Sequence, residues 1–283
     1  MSAAGDKPQK SAAWGDLRSR AISAVVLGLL VLALTFAGGW PFRILCCATG
    51  VIVLDEWARM TRAKRAGPIF VFARRCLFVA LALFLLDFRI LSIVVAAGGC
   101  LFIALVDRRE HKADWVVGGL AYAATAALAP GMLRGDDDAG LLALGLVIAV
   151  VWATDIAAYF SGRTFGGPKL MPAVSPKKTI SGAVGGLVAG VAAGSAAYCA
   201  VTGRVDLFII LLTAALSVLG QAGDLFESWV KRRFGVKDSG RIIPGHGGLM
   251  DRIDALIIAL AAAWLVGVTT AGFAHPARAI FNL

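Results

Sequence analysis

Apolar runs of about the 20 residues that a helix needs to cross a bilayer recur along the whole chain. In water no fold could bury so many of them; in lipid each must close its own backbone hydrogen bonds, which leaves helices or closed barrels. The runs are far longer than the roughly 10-residue strands of a barrel. The expected fold class is therefore all-α: a polytopic integral membrane helical bundle of about nine transmembrane helices. They fall near residues 21–40, 41–57, 76–88, 90–106, 114–133, 139–160, 180–201, 205–226 and 254–273. Composition agrees, with 59% apolar and 16% charged residues against about a quarter charged in a soluble domain.

The division expected is a cytoplasmic tail over 1–20, N-terminal transmembrane helices over 21–135 and a C-terminal catalytic region over 136–283. A net charge of +10 could signal nucleic acid, but basic residues set between spans report topology. With the N-terminus inside, the inner segments hold 23 of the 28 Lys and Arg, and the outer loop "RGDDDAG" is acidic. Nine spans then put the C-terminus outside. The five cysteines lie in apolar runs without paired spacing and read as packing residues.

Four polar stretches are costly beside such spans. In "WATDIAAYFSGRTFGG", Asp155 and Tyr159 lie four apart on one helix face, and an ionisable residue within a span is a functional candidate. "VSPKKTISG" reads as the start of the seventh span, with Pro176 at or before its first turn and Ser175 or Thr179 as cap. Lys177 and Lys178 would there oppose the helix dipole unless an anion binds. In "QAGDLFESWVKRRFG", Asp224, Glu227, Ser228 and Lys231 share a helix face, a carboxylate set suited to a hard divalent cation. A plain Glu227–Lys231 pair is the simpler reading of that face. "KDSGRIIPGHGGLMDRIDAL" adds a Gly-rich turn around His246, with Asp251 and Asp254 opening the last span, one of them a cap. Carboxylates for metal, cations for phosphate and Gly-rich turns together are the equipment of phosphoryl or nucleotidyl transfer.

The spacing S-x-x-K-R-x4-K-D-x-G-x3-P-x-H-G-G-x2-D-R-x-D, from Ser228 to Asp254, resembles the signature of the phosphatidate cytidylyltransferase (CDP-diglyceride synthetase) family. "TDIAAYFSGRTFGG" and "SPKKT" also resemble family segments, as does the "DEWARM" end of the second span. Ser181-Gly182 stands where the family has Glu-Gly. The resemblance implies transfer of a cytidylyl group from CTP to phosphatidic acid, giving CDP-diacylglycerol and pyrophosphate. It implies Mg²⁺ on Asp224 and Asp251, with Lys178 and Lys231 joining them as catalytic residues. Asp155, Ser175, Ser228, Arg232, Lys237, Asp238, His246, Gly247, Gly248, Arg252 and Asp254 would bind substrates. The setting implied is a bacterial inner membrane, with the active site facing the cytoplasm. The partners are CTP, phosphatidic acid and membrane lipids rather than nucleic acid, and a homodimer is left open. A CTP-dependent lipid kinase would reuse the same ligands but attack the γ-phosphorus. A transporter would be expected to repeat its broken, charged spans in both halves, and the charged motifs lie in the C-terminal half alone.

Overall fold

A computed structural model describes residues 25, 26, 28–106, 113–242 and 247–281. The N-terminal tail and His246 lie outside the described residues. Among these described residues ten helices and one small hairpin follow in order. They are α1 (Gly28–Ala37), α2 (Gly39–Met60), α3 (Pro68–Leu85), α4 (Arg89–Val106), α5 (Asp114–Arg134) and α6 (Asp138–Phe165). Then come β1 (Lys169–Met171), β2 (Ser175–Thr179), α7 (Ile180–Thr202), α8 (Leu207–Arg233), α9 (Met250–Ala271) and α10 (Pro276–Phe281). Among the described residues seven helices, α3 to α9, are long and apolar enough to cross a membrane. The bundle class expected from sequence is thus present, while the count of nine spans is not reached among the described residues. The first expected span, 21–40, lies partly outside the described residues, which show α1 there, and α2 carries Arg43, Asp55, Glu56 and Arg59 among its apolar residues. The two are joined through Gly38 and Gly39, both at positive φ.

Local chemistry sets most boundaries. Asp137, Thr179 and Asp206 cap α6, α7 and α8 by accepting from Gly140 N (3.0 Å), Gly182 N (3.1 Å) and Ile209 N (3.0 Å). Gly203, left-handed at φ 70°, closes α7. Lys231, Arg232 and Arg233 occupy the last turn of α8, where cations favour the helix dipole. α5 is the central helix: 72% of its apolar stretch is buried, against 22–39% for the other six. α4 and α7 instead expose Leu91, Val94, Leu101, Phe102, Val184 and Val188, faces suited to lipid.

One expectation is corrected. "SPKKT" does not start a helix; it forms β2, antiparallel to β1, with Lys169 opposite Thr179 and Met171 opposite Ser175. Pro176 is a strand residue, and Lys177 and Lys178 lie on the strand rather than in the first turn of α7. Thr179 is the cap, as one of the two expected candidates. Ser181 donates from Oγ to Gly166 O, fastening α7 to the end of α6.

Candidate active site

The four polar stretches meet at the end of the bundle where α8 stops and α9 starts. Lys178, on the hairpin, ion-pairs with Asp224 of α8, and Ser228 Oγ donates to the other Asp224 oxygen at 3.3 Å. One turn further along α8, Lys231 Nζ donates to Asp251 Oδ1 of α9 at 2.8 Å and lies 3.3 Å from Glu227 Oε1. The helical spacing of Asp224, Glu227, Ser228 and Lys231 therefore sets them on one face, directed at the hairpin on one side and α9 on the other. Asp155, exposed on α6, lies in the field of Asp224, Lys178 and Asp254. Tyr159 accepts from Arg163 at 2.9 Å.

The two aspartates of α9 have different surroundings. Asp251 Oδ2 accepts from Ser239 N (2.9 Å) and Gly248 N (3.0 Å) while Oδ1 holds Lys231. Both of its oxygens are engaged in binding the α8–α9 loop to the two helices. Asp254 accepts from Ala255 N at 2.8 Å and lies against Glu227. Glu227 is fully buried, and neither of its oxygens receives an aligned hydrogen bond.

Arg232 reaches back to Val174 O (3.4 Å) and Val236 O (3.3 Å), tying the hairpin to the loop. Ser175 begins β2, half-buried; Lys237, Asp238 and Arg252 are exposed around the rim. Gly247 adopts φ 83°, a conformation that favours glycine. The structure thus brings together Lys178, Asp224, Ser228, Lys231, Asp251, Asp254 and Gly248, with Asp155 at the margin.

Sequence reasoning missed one member. Glu56, at the end of α2, is fully buried and accepts from Leu249 N (2.9 Å), Met250 N (2.8 Å) and Ser239 Oγ (3.2 Å). Its signal was a carboxylate one turn from the end of a long apolar run, in the "DEWARM" segment. What it would meet could not be read locally, because its partners lie more than 180 positions away.

Five carboxylates, Asp155, Asp224, Glu227, Asp251 and Asp254, lie at or near two lysines, so carboxylate oxygens outnumber the ammonium groups here. Oxygen donors in excess, two of them buried on Glu227 without an aligned donor, have the chemistry that a hard divalent cation takes. Among the described residues no three acidic, His or Cys side chains converge as a ready-made metal site. Mg²⁺ usually binds through one or two carboxylates, with waters and substrate phosphates completing its shell, so the residue set fits such an ion without forming a closed cage.

The sequence model of the cytidylyltransferase family matches residues 18–269. A phosphatidate cytidylyltransferase of Brucella suis biovar 1 is 43% identical over 262 residues, 92% of this chain and 96% of that protein. One from Bacillus subtilis (strain 168) is 31% identical over 260 residues, 87% of this chain and 95% of its own. With the match running across nearly all of its helices and its polar cluster, the chain belongs to the cytidylyltransferase family.

Proposed function

We infer that this chain transfers a cytidylyl group from CTP to phosphatidic acid, yielding CDP-diacylglycerol and pyrophosphate for phospholipid synthesis. The observation that carries the reading is the convergence of three separated motifs, on the hairpin, α8 and α9, into one lysine–carboxylate cluster at the end of an apolar bundle. A lipid phosphate cannot leave the bilayer cheaply and a nucleotide cannot enter it, so such a boundary position suits both substrates. The basic residues at this end favour the cytoplasmic face of a bacterial inner membrane, where Lys and Arg accumulate and attract anionic lipid and nucleotide.

In the proposed reaction a phosphatidate oxygen attacks the α-phosphorus of CTP in line, and pyrophosphate leaves with the electrons of the broken P–O bond. No protein nucleophile is needed. Mg²⁺, held by Asp224 with Asp251 or the adjoining Asp254 and Glu227, would neutralise phosphate charge as it develops. Lys178 and Lys231 sit on tethers, each already held by a carboxylate, so both ammonium groups are oriented before substrate arrives. Arg232, Lys237 and Arg252 line the rim, where they can receive the phosphates.

Purified protein given phosphatidate, Mg²⁺ and CTP labelled on the α-phosphate should place label in the lipid and release pyrophosphate. Label recovered as free CDP, with phosphate moved to the lipid, would assign a kinase instead. Absence of any CTP-dependent product would remove the reading.

A further inference from the structure

The first turn of α9 carries Asp251 and Arg252, with Asp254 just beyond, yet it has no side-chain cap of its own: Leu249 stands at its N-cap position. Helix starts leave backbone N–H groups without intrahelical partners, and here the partner comes from another part of the chain. Glu56 Oε1 accepts from Leu249 N and Oε2 from Met250 N, at 2.9 and 2.8 Å. Its position at the helix start also places negative charge at the positive end of the α9 dipole.

The same carboxylate reaches the loop. Ser239 donates to Glu56 from its side chain (3.2 Å) and to Asp251 from its backbone N–H (2.9 Å), so one residue links the two acids. Asp251 in turn holds Lys231. A chain of contacts therefore runs from Glu56 through Ser239 and Asp251 to Lys231, from the N-terminal half into the cluster. Room has been made for it: a Cβ on Gly240 or Gly248 would run into the Glu56 carboxylate.

Glu56 is itself rigidly mounted. Trp57, next to it and 2% exposed, donates Nε1–H to Trp115 O at 2.7 Å and lies against Gly118 and Gly119 of α5. The carboxylate is thus fixed to the central helix, and through it so are the loop and α9.

We propose that Glu56 is a positioning residue for cytidylyl transfer: it touches no substrate, and it sets the α8–α9 loop and the first turn of α9 so that Asp251 and Lys231 are aligned. This rests on the cytidylyltransferase reading. Glu56→Gln keeps the size of the side chain but replaces one acceptor oxygen with an N–H₂ group that faces donors. The expected result is a kcat/KM for CTP, per folded protein, lowered about 10- to 100-fold, the range seen when an orienting group behind a site is lost. Amide hydrogen exchange over 239–251 should rise while exchange in α6 and α7 stays as in the parent protein. Ser239→Ala, which spares the α9 cap, should lower kcat/KM less, and the double variant should be no worse than Glu56→Gln alone, because both act through one network.

A folded Glu56→Gln protein with a lower thermal midpoint but unchanged kcat, KM and loop exchange would overturn the proposal, leaving Glu56 a stabilising residue only. If Glu56→Gln does not fold, Ser239→Ala decides, and unchanged kcat/KM and exchange in that variant would overturn it. A parent protein without CTP-dependent activity would instead sink the functional reading. The exchange comparison would then still decide whether Glu56 holds the loop.

Discussion

At Gly248 the backbone passes so close to its neighbours that a Cβ would meet Gly240 N at 2.7 Å and Glu56 Oε1 at 2.8 Å. Its φ is not in the left-handed region, so space, not conformational freedom, demands glycine. Gly248→Ala is expected to lower activity more than tenfold, since a shift of about 1 Å at a site can cost up to a hundredfold. Gly145→Ala, in α6 with nothing within 4 Å, should leave activity unchanged; pyrophosphate release by the two variants checks the contrast. The acids should differ in the same way. The Asp224 side chain is 29% exposed and that of Asp251 is 9% exposed. Asp224→Asn should abolish most activity with little change in thermal midpoint, because solvent takes up the released Lys178. Asp251→Asn leaves Lys231 beside fewer carboxylates in a dry niche, where breaking a buried pair costs about 3–5 kcal/mol. Its midpoint should fall together with activity, and equal midpoints for the two variants would contradict this account.

Among the elements, α7 shows a pattern that the sequence displayed openly. Its small residues Gly182, Gly186, Gly190 and Gly194 are all buried, and they let α6 and α8 approach until Thr154 Oγ1 and Ser217 Oγ share a hydrogen bond of 2.8 Å. Small residues at fixed helical spacing specify a close crossing by themselves, so this packing was legible. A methyl group at Gly194 would press on the Thr213 and Val150 side chains. Gly194→Ala should therefore destabilise by about 1–3 kcal/mol, the usual cost of overpacking. Gly98→Ala in α4, with open space around it, should not; thermal unfolding in detergent separates them. The hairpin was not legible. Strands of three and five residues are too short for a two-residue period to show, and Pro176 before two lysines reads equally well as a helix start. What makes it a hairpin is tertiary: Val174 is buried at its turn, and its carbonyl accepts from Arg232.

Across the whole molecule the two ends use charge differently. Local motifs announced the site end, because Lys178, Asp224, Lys231 and Asp251 each lie in a compact polar stretch; Glu56 was hidden because its meaning depends on contacts between the two halves. At the opposite end, arginines that would otherwise break the topological bias are consumed in a network. Arg43 pairs with Asp87 (3.0 Å) and Asp136 (2.8 Å), Arg89 with Asp87 (2.8 Å), and Arg278 with Asp137 (3.0 Å). Arg134, 4% exposed, donates to the carbonyls of Thr35 and Asp137, each at 2.9 Å. This network fastens α1, α2 and the α3–α4 turn to the α5–α6 turn and α10. Partial burial pushes the Asp87 carboxyl up, but Arg89 and Arg43 outweigh it and hold it below the ordinary carboxylate value. Burial likewise raises Asp137, and the Gly140 N–H, Arg278 and His275 more than offset it. A carboxyl depressed in the folded state contributes stability that is present above its unfolded pKa, about 3.9 for Asp, and is lost as pH falls through the lower folded value. Thermal midpoints measured in detergent should thus drop more steeply below about pH 4 for the parent protein than for an Asp87→Asn, Asp137→Asn double variant. That variant should start lower at pH 7, because its arginines have lost their partners. Parallel acid profiles for the two proteins would show that the network does not hold this end together.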